Sequence, residues 1–164
     1  MASGYNNWEQ FYQRFNLIFN GLVAVPLLPF GYIFLETQKE TPDPALIFGT
    51  SGKILMVALL VVVVISIVFS QMYKRSIPEK VKVVSGIKQK LETYLYEKTR
   101  QYLILEAASV SAIIGLYMTK DQLFSVAYVV VLFIYSLSRP TFDSVVRETG
   151  IPEKDLIDWG GGEK

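Results

Sequence analysis

The stretch "ILMVALLVVVVISIVFSQMY", residues 54–73, decides the fold class. It runs for 20 residues without a charge and has no polar face to turn toward water. A hydrocarbon core of about 30 Å needs roughly 20 helical residues to cross it. Val and Ile also favour strands, but strands seldom exceed about 10 residues, so the stretch predicts a transmembrane helix.

Three more blocks have the same character. Phe15–Leu35 is uncharged over 21 residues, Gln101–Thr119 holds a single charge at Glu106, and Gln122–Ser138 is uncharged over 17. The expected fold is an all-α integral membrane protein with four transmembrane helices. The overall share of 51% hydrophobic residues would also suit a soluble domain; the gathering of those residues into blocks carries the argument. The first block is too long for a signal peptide, contains Pro26 and Pro29, and is followed by no small-residue cleavage site. It is expected to remain in the mature protein.

Basic residues set the threading. Thirteen lie between or beyond the spans on one side: Arg14, eight from Lys74 to Arg100, and Arg139, Arg147, Lys154 and Lys164. The other side has three, Lys39, Lys53 and Lys120. The positive-inside rule makes the richer side cytoplasmic, so both termini are expected inside (N-in/C-in), in a bacterial inner (cytoplasmic) membrane.

This divides the chain into an interfacial N-terminal arm (1–14), a transmembrane domain (15–140) and a cytoplasmic C-terminal tail (141–164). The arm places Trp8, Phe11, Tyr12 and Phe15 at helical spacing, as a membrane-surface helix would. Within the domain, residues 78–100 predict a cytoplasmic amphipathic helix between spans two and three. It opens at Pro78, carries Val84, Ile87, Leu91, Tyr94 and Leu95 on one stripe, and runs into span three without a break after Gly86. Outside, "ETQKETPDPALIFGTSGK" is a turn-rich connector, and "TKD" is short enough to force an antiparallel hairpin. In the tail, "FDSVVRETG" predicts two helical turns ending at Gly150, and "IPEKDLIDW" one more.

Arg14, Leu17, Ile18 and Asn20 align with Arg100, Leu103, Ile104 and Glu106, a weak parallel repeat of two hairpins. The alignment puts Glu106 six residues past Arg100, about 9 Å along a helix and within the cytoplasmic half of the bilayer. Carboxylates in spans turn toward the bundle interior or a wet cavity. On a helical wheel Glu106 shares its face with Tyr102, Ser109, Val110 and Ile113, while Ala108, Ser111, Ala112 and Gly115 form a close-packing face. Span three is therefore expected at the centre, with little surface left for lipid. Span one offers a matching polar stripe of Asn16 and Asn20 and an expected kink at Pro26 and Pro29. Ser66, Ser70 and Gln71 on span two and Tyr135, Ser136 and Ser138 on span four add polarity to the same half, leaving the outer halves apolar.

The chain has no cysteine and no histidine, which excludes disulfides, thiol redox chemistry and the usual zinc and haem sites. No cofactor or metal is expected, no nucleophile–base constellation is visible, and the balance leans away from an enzyme. The expected role is a non-catalytic assembly or accessory subunit that oligomerises through span three. The alternative is a transporter or channel for protons, cations or small solutes, using a polar cavity around Glu106. Expected partners are the bilayer, anionic lipids through Lys82, Lys88 and Lys90, and a second copy or membrane-complex partner. Nucleic acid is not expected, because the basic residues are juxtamembrane and mixed with acids.

Overall fold

The computed structural model describes residues 7–39 and 44–159, with side chains not described at 44–52. Six helices follow one another: α1 Trp8–Thr37, α2 Pro44–Lys82, α3 Ile87–Thr119, α4 Leu123–Leu137, α5 Phe142–Thr149 and α6 Glu153–Asp158. No strand occurs among the described residues. Three helices are long and apolar enough to cross a membrane, and a fourth is if α4 and α5, bent by 73°, are taken as one span. Alone, the 15 residues of α4 reach about 22 Å, short of a typical hydrocarbon core.

α3 is the central helix and packs against α1, α2 and α4. Its buried residues recur at three and four, through Leu91, Tyr94, Lys98, Tyr102, Leu105, Ala108, Ala112 and Gly115. It also shows a full exposed stripe, with Leu103, Val110, Ile114 and Tyr117 between 43% and 61% accessible. The expectation that α3 would show lipid little surface is thus corrected: three neighbours cover most of the cylinder, not all of it.

α2 and α3 form a long antiparallel pair. The separate helix expected at 78–100 does not exist, because Pro78 lies inside α2 and the break falls at Val83–Gly86. A proline within a helix removes a hydrogen bond and costs about 3 kcal/mol. Ile77 and Val81, both fully buried on either side of it, hold α2 in place there. Gly86, at φ +89°, makes the turn that β-carbon-bearing residues would resist. From Ile87 onward the expected unbroken run into span three is observed.

The N-terminal arm is the first two turns of α1 rather than a surface helix. Asn7 caps it, its side chain accepting from the Gln10 N–H at 2.9 Å. Phe11, Phe15 and Phe19 are buried, and Trp8 meets Phe142 edge-on at 5.1 Å. These rings face protein, so the membrane-surface reading of the arm is corrected. α1 continues through Pro26 and Pro29 without interruption.

The connector after span one falls partly outside the described residues, but its second half is helical, since α2 starts at Pro44. The short 120–122 link does force the expected hairpin: Lys120 adopts the left-handed conformation and Asp121 Oδ1 accepts from the Leu123 N–H at 2.8 Å. The first half is not its counterpart. Among the described residues α1 packs mainly on α3 and scarcely on α2, so the chain does not consist of two matching hairpins.

α5 ends at Gly150 as its sequence predicts, and it is capped at its start as well. Thr141 and Ser144 form a reciprocal capping box, and Gly150 ends the helix at φ +66°. α5 lies against α2 and α3 at the end where those two helices turn.

Candidate functional site

The Glu106 carboxylate lies on α3, half-buried, facing the last turn of α4. Tyr135 on α4 holds its hydroxyl 2.8 Å from Glu106 Oε2 and 3.1 Å from the Tyr102 carbonyl oxygen. Its one proton serves either acceptor. Tyr102 answers in the opposite sense, donating from its own hydroxyl to the Ser138 carbonyl at 2.7 Å. That carbonyl belongs to the α4 C-cap, one of the groups a helix end leaves unpaired. Two tyrosines thus staple α3 and α4 together, and Phe19 of α1 packs edge-on against both rings at 5.4 and 6.3 Å.

Of the residues expected around Glu106, the structure brings in Tyr102 and leaves the others apart. Ser109 is fully buried one turn on, but its hydroxyl has no hydrogen-bond partner. Asn20 is exposed, and Asn16 is half-buried with its Oδ1 unpaired. Tyr135, the partner that matters, was legible only as one of several polar residues closing span four. The small-residue face is real: Ala108, Ala112 and Gly115 are buried. A β-carbon at Gly115 would lie 2.2 Å from the Phe124 ring, so α4 of the same chain fills that face. Ser111 sits at its edge and donates to the Ala107 carbonyl of its own helix at 2.7 Å.

Buried hydroxyls are not confined to one half of the bundle. Ser125 and Tyr128, near the α3–α4 turn, are buried and unpaired, and Tyr128 stacks on Phe30 at 3.9 Å. The expectation of purely apolar outer halves is corrected on these residues. The helix α4 keeps Val126, Val129 and Phe133 outward and buries Ser125, Tyr128 and Tyr135, while Ser136 is exposed.

Two further charged groups lie beyond the apolar run of α3, which starts at Gln101. Lys98 and Glu148 pair at 2.8 Å with only 2% and 8% of their surfaces exposed. Burial pushes the Lys98 ammonium below the ordinary lysine range, and Glu148 opposes that shift. One residue earlier on α3, Glu97 accepts from Lys80 at 2.8 Å and from the Tyr73 hydroxyl, tying α2 to α3. Neither pair was visible in sequence, since the partners lie on different helices.

Among the described residues, two clefts lie away from Glu106. An apolar groove of about 260 Å³ runs along α2 over Val57, Leu60, Val61, Val64 and Ile65. A cleft of about 160 Å³ lies at the α2–α3 turn, between Lys90 and Asp155. Among the described residues no three His, Cys, Asp or Glu side chains gather as metal ligands would. Chemically, the Glu106 site is a carboxylate held by one phenol. No known protein family, curated protein or solved structure matches the chain.

Proposed function

We propose that the chain is a non-catalytic integral membrane protein, an assembly or accessory subunit of a bacterial cytoplasmic membrane. It crosses four times, residues 122–138 serving as the last crossing and α5 lying on the cytoplasmic side, and keeps both termini on that side. The 13-to-3 division of basic residues supports that orientation. One observation carries the structural role: the single charge within the apolar spans is spent in a tyrosine staple between α3 and α4. Polar contacts of this kind act as glue between membrane helices.

The surface for association is not the small-residue face of α3, which Phe124 occupies. The groove on α2 suits a partner helix better. Its lining recurs at i, i+3, i+4, i+7 and i+8, the spacing at which one helix seats the side chains of another. Since the chain has no cysteine, Val61→Cys supplies a unique cross-linking position. In native membranes Val61→Cys should give a cross-linked species, and Val129→Cys on the outer face of α4 should not. Monomer alone from Val61→Cys, with full thiol labelling, would overturn the assembly role.

A second reading, a proton or cation path, draws on the unpaired buried hydroxyls of Ser109 on α3, the helix that carries Glu106, and of Tyr128 and Ser125 on α4, which faces it. Buried polar groups without protein partners are where internal water is held. On that reading, Glu106→Gln lowers proton or cation flux in proteoliposomes at least about tenfold, as loss of a proton-relay carboxylate would. Flux that is absent from the parent protein, or unchanged in the variant, rejects it.

A further inference from the structure

Arg100 stands at the foot of the exposed stripe of α3, one residue before the apolar run starts. Its guanidinium lies between two tyrosine faces, 5.9 Å from the Tyr73 ring and 5.8 Å from that of Tyr96. Glu97 feels its charge but is already bonded to Lys80 and Tyr73. The Arg100 guanidinium makes no hydrogen bond among the described residues, so its planar fork of donors is held in position and unspent.

The stripe continues from Arg100 through Leu103, Val110 and Ile114, all exposed, and ends at Tyr117, 61% exposed. From Arg100 to Tyr117 is about 26 Å along a helix, close to the thickness of a hydrocarbon core. A cation between aromatic rings at one end, aliphatic side chains along the length and a tyrosine at the other end match a lipid's order of groups. Tyrosine marks both membrane–water boundaries, and arginine pairs with phosphate through two parallel hydrogen bonds.

The lysines first expected to attract lipid are placed less well. Lys82 lies nine residues past Tyr73, and Lys90 and Lys88 lie further from Gln101, so a straight helix carries them about 14 to 20 Å beyond the apolar spans. Screening in physiological salt acts over about 8 Å. They stand at the α2–α3 turn, remote from headgroups, and Arg100 stands among them.

We propose that Arg100, with Tyr73 and Tyr96, forms a site for the phosphate headgroup of an anionic phospholipid whose acyl chain follows the exposed stripe of α3. The inference rests on the apolar helices lying in a bilayer and not on the assembly role. Native mass spectrometry of the detergent-solubilised full chain tests it, with phosphatidylglycerol and phosphatidylcholine supplied at equal concentration. Phosphatidylglycerol should be retained preferentially. Arg100→Gln should reduce its retention about tenfold, as loss of a charge-assisted hydrogen-bonding pair would. Arg100→Lys should fall between the two, and Lys88→Gln should match the parent chain.

Equal retention of the two lipids, or an Arg100→Gln variant that still prefers phosphatidylglycerol, would overturn the site. Displacement of the lipid by millimolar inorganic phosphate would also do so, by showing that a free phosphate is the ligand. A chain that stays dispersed without detergent would instead defeat the membrane reading itself, and the Val61→Cys experiment reports separately on assembly.

Discussion

Replacing Glu148 with alanine should cost about 3 to 5 kcal/mol of stability, the usual penalty for breaking a buried ion pair on one side. The Lys98 ammonium, 2% exposed, would be left with no counter-charge at 2.8 Å. It could not relax easily, because its chain rises from the middle of α3 beneath α5 and its ammonium sits 5.6 Å from the Tyr94 ring. The released element should be α5, whose other anchors on the bundle are Val145, Thr149 and the Phe142–Trp8 ring contact. Unfolding of the purified protein in detergent, followed by circular dichroism, measures the loss. Limited proteolysis should cut near residues 140–150 first. The double variant Lys98→Met with Glu148→Leu separates charge from packing: two apolar side chains of similar volume should recover most of the stability. A loss under about 1 kcal/mol in Glu148→Ala would mean that the pair is solvated like a surface one.

The same pair marks where sequence reasoning stops. Composition blocks and charge placement reveal which segments are apolar helices, because each signal lies within one segment. The continuous helix from Ile87 to Thr119 was legible for that reason: after Gly86 nothing interrupts it. Pro78 misled because a local rule, proline opens helices, met a tertiary fact, the burial of Ile77 and Val81 around it. The arm misled similarly, since aromatic residues at helical spacing suit a membrane surface or a protein core equally well. Phe15 chose the core because α3 presents Tyr94 and Tyr102 to it, and Phe11 packs on Phe15 at 5.9 Å. At the candidate site, the exceptional residue Glu106 was visible and its partner was not. Tyr135 lies 29 positions away on another helix, and Glu148 lies 50 from Lys98. A 3.6-residue period describes a face and is silent on which face it meets. The weak repeat shows the cost of reading further: it paired Asn20 with Glu106, yet one is exposed and the other is held by Tyr135.

Gly115 turns that limit into a measurement. The small-residue face on α3 was visible in the sequence, and its occupant, Phe124, was not. A β-carbon at Gly115 would fall 2.2, 2.3 and 2.6 Å from three atoms of a ring that is itself fully buried. The ring cannot swing toward solvent, so Gly115→Ala must push α3 and α4 apart or force the ring off its rotamer, at about 1 to 3 kcal/mol. Gly115→Val should cost more and should reduce the yield of folded protein. Glycine's flexibility cannot be the cause of such a loss, because replacing helical glycine with alanine ordinarily gains about 0.5 to 1 kcal/mol. Gly21 and Gly31 supply the control: nothing lies within 4 Å of a β-carbon at either, so Gly21→Ala and Gly31→Ala should leave stability unchanged or raise it slightly. Adding Phe124→Leu to Gly115→Ala should restore part of the loss, since a smaller side chain makes room for the new methyl. If Gly115→Ala behaves like Gly31→Ala, α3 and α4 do not meet at this point, and the face is open to a second copy after all. The opposite result closes this face to a second copy, and the proposed association would then use surfaces such as the groove on α2, which is lined by exposed valines and no glycine.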